Sequence, residues 1–183
     1  RRIGTRLDFQ NFLKLAQAYN CIHFNCGYAV EPMDMHPSIR HLDGLFDMLT
    51  LTDKVVHAYA LGTERVEDAM EMVRIGAGLT HEAFEEKPRM FTNINSTSPL
   101  KHDWPMLDGA MRMVARNQMV VVSPFTLAGA MAPVTLAGAL TLQNAEGLAA
   151  IALLQAVRAG APVIYGAFTS NVDMKTGAPA FGT

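Results

Sequence analysis

Six aromatic residues fall on or just after short extended segments: Tyr28, Tyr59, Phe91, Phe125, Tyr165 and Phe168. Three asparagines share that placement: Asn25, Asn93 and Asn95. Amides there can orient a substrate oxygen or a catalytic side chain, and they can equally cap loops and turns. Ser170, Asn171 and Asp173 follow the last apolar segment, where they can line a mouth or shape a turn. Gln143, Asn144 and Glu146 are placed at the start of a helix; Glu146 can offset a cationic ligand or be a first-turn carboxylate favoured by the helix dipole. His23 and His57 fit hydrogen-bonded core histidines better than ligands. Asp34, His36 and His41 form no recognised metal set, and Cys21 and Cys26 lack a zinc or redox spacing. No metal is assigned to the chain.

These side chains need a scaffold, and helical and extended patterns alternate along the sequence. Thr5-x-x-Asp8 reads as a capping box, in which a side-chain oxygen accepts from a free backbone N–H. Phe9, Phe12, Leu13 and Ala16 then share one helix face. Ile39, Leu42, Phe46 and Leu49 mark a second helix. Val66, Ala69, Met70, Val73 and Ala77 mark a third, continuing to about Glu86. Pro105 suits a first helical position, ahead of an apolar face of Leu107, Ala110, Met111 and Val114. A long helix is expected over 140–158, stopped by Gly160, and strands over 22–26, 55–60, 89–95, 119–123 and 162–167. Most of the twelve methionines fall on helix faces, where they fill a core.

Strands separated by helices imply βαβ units and a parallel sheet with right-handed crossovers. A doubly wound open sheet and a barrel both satisfy that pattern. Strands covered on both faces read as continuous apolar runs, whereas three of these alternate. Ile22, Phe24 and Cys26 alternate with His23 and Asn25; Val56, Ala58 and Ala60 with His57 and Tyr59; Met90, Thr92 and Ile94 with Phe91, Asn93 and Asn95. One face is apolar. The other is polar or aromatic, increasingly so toward the C-terminal ends, as in a barrel lumen beneath a catalytic mouth. The reading is an α/β fold of the TIM (β/α)8-barrel type, with about five βα units in residues 1–183 as one partial domain. The chain begins at Arg1 without a methionine and stops at Thr183 inside a Gly/Pro/Thr-rich stretch, so an internal piece of a longer protein is expected.

Composition narrows the function. With 50% apolar and 17% charged residues and a net charge of −2 without charge blocks, the chain is globular. Nothing in it supports a nucleic-acid or membrane-surface partner. Two cysteines cannot build a disulfide framework, and with no signal peptide a cytoplasmic location is expected. The apolar stretch 126–142 contains Pro133, Gly129 and Gly138 and runs into Gln143, so a buried loop and helix is expected there, not a membrane span. Gly-x-Gly-x-x-Gly and P-loop patterns are missing, against a dinucleotide or ATP enzyme. Thr126-Leu-Ala-Gly-Ala-Met echoes in Thr135-Leu-Ala-Gly-Ala-Leu, small residues suited to close backbone approach.

Two long motifs carry a family likeness. Ser123-Pro-Phe-Thr-Leu-Ala-Gly-Ala-Met-Ala-Pro-Val-Thr-Leu-Ala-Gly-Ala-Leu, continuing into Gln143-Asn-Ala-Glu-Gly-Leu-Ala, resembles a hallmark of the trimethylamine methyltransferase family. Gly160-Ala-Pro-Val-Ile-Tyr-Gly-Ala-Phe-Thr-Ser-Asn-Val-Asp-Met-Lys-Thr-Gly-Ala-Pro-Ala-Phe-Gly-Thr183 resembles another. Glu31-Pro-Met-Asp, Arg40-His-Leu-Asp and Leu51-Thr-Asp-Lys are shorter matches. The resemblance implies a TIM-barrel enzyme that moves a methyl group from trimethylamine, glycine betaine or a related methylated amine to Co(I) of a corrinoid. The corrinoid would be carried by a small partner protein and not by this chain, and a homo-oligomer is expected. Some family members carry pyrrolysine, at a position placed downstream of Thr183. A quaternary ammonium has no N–H to donate, so aromatic faces and a nearby carboxylate suit it. The substrate-binding set expected on this reading is Asn25, Tyr28, Tyr59, Phe91, Asn93, Asn95, Phe125, Glu146, Tyr165, Phe168, Ser170 and Asp173. The alternatives are another TIM-barrel lyase or aldolase, and a non-catalytic quaternary-amine binder. The absence of lysine from the three alternating strands weighs against a Schiff-base enzyme.

Overall fold

The computed structural model describes residues 2–25 and 27–181. The first helix, α1 (Arg6–Ala18), starts with the expected capping box: Asp8 N–H donates to Thr5 Oγ1 at 3.3 Å and Thr5 N–H to Asp8 Oδ2 at 2.9 Å. Then come α2 (Arg40–Leu51), β1 (Val56–His57), α3 (Thr63–Gly76), α4 (His81–Glu86), β2 (Met90–Ile94) and α5 (Trp104–Ala115). The chain continues through β3 (Met119–Val122), β4 (Phe125–Ala128), α6 (Leu136–Val157), β5 (Val163–Tyr165), β6 (Phe168–Val172) and β7 (Pro179–Ala180).

Strands β1, β2, β3 and β5 form one parallel sheet in that order. Each new strand is laid beside the previous one, and α3, α5 and α6 connect them. Val56, Ala58, Ala60, Met90, Ile94, Val120 and Val122 pack into one core with apolar residues from all six helices, Leu13, Leu45, Val73, Phe84, Met113 and Leu154 among them. That core lies on one face of the sheet. At about 25 cal/mol per Å2 of apolar surface removed from water, it is the main stabilising term. Beyond their C-terminal ends, β3 and β5 run on as β4 and β6, which again pair in parallel, and β7 closes antiparallel on β6. Gly166 N–H donating to Val122 carbonyl (2.7 Å) and Phe168 N–H to Pro124 carbonyl (3.0 Å) keep the ladder continuous across the join.

Several expectations need correction. The strand expected over 22–26 is reduced to one bridge between Phe24 and Val55, and its facing is reversed. Register from Val55 through His57 and Phe91 puts Phe24 on the helix-free face, and Asn25 turns toward α1 beside Phe9 and Leu13. Cys26 lies outside the described residues. The third helix does not reach Glu86: Gly78 takes φ 65°, and Thr80 caps a separate α4. In α2 the buried face is Gly44, Leu45, Asp47 and Met48, while Phe46 is exposed. Asp47 explains the rotation, because Arg6 Nε (2.8 Å) and Nη2 (2.9 Å) and Gln10 Nε2 (3.0 Å) all donate to its carboxylate from α1. Phe12 of α1 is likewise exposed.

The stretch 126–142 is not simply buried. Its first half is β4 and a turn, and its second half starts α6 four residues before the expected position, capped by Thr135. The echoed pentapeptide Thr-Leu-Ala-Gly-Ala is thus strand and turn once and helix start once. Among the described residues one helix, Leu136–Val157, is long and apolar enough to cross a membrane by length and composition. It lies on the sheet, with Gln143 and Glu146 on its buried side and Leu140, Leu148 and Leu153 exposed.

Candidate functional site

Side-chain parity along paired strands gives the helix-free face its chemistry. Partners in register point the same way, so Phe24, His57, Phe91, Asn93, Val121 and Ile164 share that face. Near the strand N-termini it is apolar, with a hollow of about 190 Å3 among Phe24, Val55, Phe91, Met119, Val121 and Ile164. Toward the C-termini it becomes aromatic and polar. Phe24 meets Phe91 edge-on at 5.3 Å between centroids, Phe91 meets His57 at 5.0 Å, and His57 meets Tyr59 at 5.0 Å. Continuing past Ser123 and Gly166, which are in contact range of each other, the same face carries Phe125 and Phe168. These rings stack at 5.0 Å with an interplanar angle of 8°, and Phe181 adds an edge at 5.7 Å. Aromatic rings therefore run along this face as a ribbon in two groups, Phe24, Phe91, His57 and Tyr59 over β1 and β2, and Phe125, Phe168 and Phe181 beyond the C-terminal ends of β3 and β5. Tyr59 (40% exposed) and Phe168 (47%) stay open to a ligand.

His57 sits in the middle of this ribbon at 2% exposure. Neither ring nitrogen has a hydrogen-bond partner. Burial pushes its pKa down to about 4, a shift that the neighbouring Asn93 amide opposes. It is therefore neutral at physiological pH. Asn93 itself donates from Nδ2 to Asn95 Oδ1 at 3.0 Å, which fixes both amides at the end of β2.

Of the twelve residues expected from sequence, six are drawn together on this face: Tyr59, Phe91, Asn93, Phe125, Phe168 and Asn95, the last through its bond to Asn93. Ser170 lies in the same register as Leu127 and donates to Ala180 carbonyl at 2.9 Å, which ties β7 to β6. The others lie elsewhere. Asn25 is buried toward α1, with Nδ2 unpartnered. Tyr28 packs edge-on against Phe9 and donates to Arg40 carbonyl at 2.8 Å, and burial pushes its pKa up to about 12. Tyr165 faces α6, its hydroxyl 3.3 Å from Gln143 Nε2 and from Asn144 Oδ1. Asp173 holds the β6–β7 turn by accepting from Lys175 N–H at 2.7 Å.

Glu146 is 2% exposed and engaged at both oxygens: it accepts from Ser98 Oγ at 2.7 Å and from Leu100 N–H at 2.6 Å. Its carbonyl accepts from His102 Nε2 at 3.0 Å. It thus fastens the loop that follows β2 and Asn95. Sequence reasoning missed Phe24 and Phe181 as members of the ribbon. Phe24 gave no usable signal, because an apolar residue suits both the core face and the apolar lower half of the other face.

A family model described as trimethylamine methyltransferase (MTTB) matches residues 1–183. The chain belongs to the trimethylamine methyltransferase family. It is 39% identical over 183 residues to the glycine betaine methyltransferase of Desulfitobacterium hafniense (strain Y51), covering 100% of the chain and 38% of that relative. It is 32% identical over 190 residues to the trimethylamine methyltransferase MttB of Desulfitobacterium hafniense (strain DSM 10664 / DCB-2), covering 99% and 37%. With the proline betaine:corrinoid methyltransferase of Eubacterium limosum the identity is 27% over 187 residues, covering 99% and 39%. The chain therefore spans less than two fifths of the length of these relatives.

Proposed function

We propose that the protein transfers a methyl group from a methylated amine to the Co(I) corrinoid of a separate small protein, and that the parallel sheet is part of a TIM (β/α)8 barrel. The barrel reading is supported by strands added in sequential order with their helices on one face only, which leaves the opposite face to line a lumen. The aromatic ribbon from Phe91 through His57 and Tyr59, with the Phe125–Phe168 stack, is the observation that carries the substrate reading. Ring faces attract a methylated ammonium by their quadrupole and cannot take a proton from it. His57, held neutral, adds no repelling charge.

The reaction breaks the carbon–nitrogen bond, leaves the electron pair on nitrogen, and passes the methyl group to Co(I) of the partner. This chain's part is to bind the cation, aim one methyl outward and exclude water. Asn93 and Asn95 are placed to orient an oxygen of the substrate. A cytoplasmic location belongs to the same reading. The test uses the full-length protein and a corrinoid protein reduced to Co(I). The Co(I) absorbance is expected to decay only when a methylated amine and the enzyme are both present; Co(I) that persists with every methylated amine overturns the proposal.

A further inference from the structure

A second hollow, of about 330 Å3, is walled by Tyr28, Glu31, Arg40, His41, Tyr59 and Arg65. Its charges do not cancel. Arg40 Nη1 is paired with Glu31 Oε1 at 2.7 Å, and His41 Nε2 with Asp68 Oδ2 at 2.9 Å. Arg65 has no ion pair and no hydrogen bond among the described residues. Two further nitrogens of the wall, Arg40 Nε and His41 Nδ1, are buried without a partner. At its base a recess shared by Tyr28, His41, Tyr59 and Arg65 reaches His57.

The backbone adds to the same side of the balance. Helices α1, α4, α5 and α6 carry side-chain caps from Thr5, Thr80, Asp103 and Thr135. The two helices without one, α2 after Ile39 and α3 after Gly62, are the two whose first turns border this hollow. At α2 the Arg40 and Leu42 N–H groups donate to the His36 and Ile39 carbonyls, both at 3.0 Å, so what these helix starts offer an anion is the positive end of the helix dipole. Unpaired guanidinium groups favour the planar oxygens of a carboxylate or phosphate. The rings of Tyr28 and Tyr59, 5.7 Å apart, give the site two aromatic walls.

We infer that this hollow binds a small organic oxyanion, a carboxylate or a phosphate monoester on a flat or apolar body, with Arg65 as its principal counter-charge. The inference is independent of methyl transfer and is tested without any corrinoid protein. Calorimetric titration of the full-length protein with benzoate and, separately, phenyl phosphate gives saturable binding to at least one, and the comparison shows which oxyanion the site takes. Chloride at matched ionic strength does not compete. Arg65→Gln weakens binding tenfold or more, and Arg65→Lys recovers part of the loss. Since Arg65 makes no hydrogen bond or ion pair among the described residues, both variants are expected to keep the wild-type melting temperature. Failure of both probes to bind, or equal affinity in wild type and Arg65→Gln, overturns the inference whatever the outcome of the methyl-transfer assay.

Discussion

Replacing Tyr59 by leucine in the full-length protein separates cation recognition from mere packing. Tyr59 stands at the open end of the ribbon, edge-on to His57 at 5.0 Å and 40% exposed, so its removal costs the core little. A cation over an aromatic face gains about 0.5–2 kcal/mol, the upper end when water is excluded. At about 1.4 kcal/mol per tenfold, losing the ring weakens a quaternary amine by roughly twofold to thirtyfold. The Tyr59 hydroxyl also accepts from Tyr28 N–H at 3.1 Å. Tyr59→Phe removes that bond and keeps the ring, and is therefore expected to bind nearly as wild type. The assay is calorimetric titration of wild type and both variants with a quaternary amine and with its neutral isostere, carbon in place of nitrogen. The cation loses affinity in Tyr59→Leu and the isostere much less. Equal losses for the two ligands refute the reasoning, since pocket shape alone would then account for the effect.

Three further outcomes follow from the packing. Glu146→Ala removes the acceptor of Leu100 N–H and the nearest acceptor of the buried Ser98 hydroxyl, which keeps Ser96 Oγ at 3.2 Å and Phe125 carbonyl at 3.4 Å, at about 1–3 kcal/mol in all; denaturant unfolding shows the loss, limited proteolysis shows cleavage within residues 96–102, and an unchanged midpoint contradicts the assignment. His57 is held near pKa 4, below its usual 6.5. Between those values the unfolded chain binds more protons, so stability falls as pH drops from about 6.5 to about 4, by up to about 3 kcal/mol. His57→Phe flattens that slope, and a slope unaffected by the substitution counts against the burial argument. Gly147→Ala sets a Cβ 2.5 Å from Tyr165 Cε2; such overpacking costs about 1–3 kcal/mol and lowers the melting temperature, whereas a neutral substitution shows that Tyr165 does not lie against α6.

The sequence was most legible where period and capping agreed. Thr5 and Asp8, the face Val66–Ala69–Met70–Val73 and the alternation around His57 and Phe91 all stand as read, because each is set by local geometry or by burial on one side. It was least legible where a distant partner decides. Asp47 turns inward on α2 only because Arg6 and Gln10 reach it from α1. Glu146 is oriented by a loop 46–48 residues away in sequence. The twin Thr-Leu-Ala-Gly-Ala segments differ in structure because one follows β3 into the ladder and the other is free to cap α6. The opposite parity of Tyr165 and Phe168 was visible in the sequence, and pairing then assigns Tyr165 to the helices and Phe168 to the ribbon. No local pattern announced the unpaired Arg65, since its isolation is a property of the fold around it.

The methyl balance tests the central claim most directly. Full-length protein, a corrinoid protein reduced to Co(I) and a methylated amine carrying deuterated methyl groups are combined without oxygen, and both products are followed by mass spectrometry. The proposed methyl transfer predicts one labelled methyl on the corrinoid for each molecule of amine that loses one. An amine that binds yet is recovered with all its methyl groups, in the presence of competent Co(I), would contradict it.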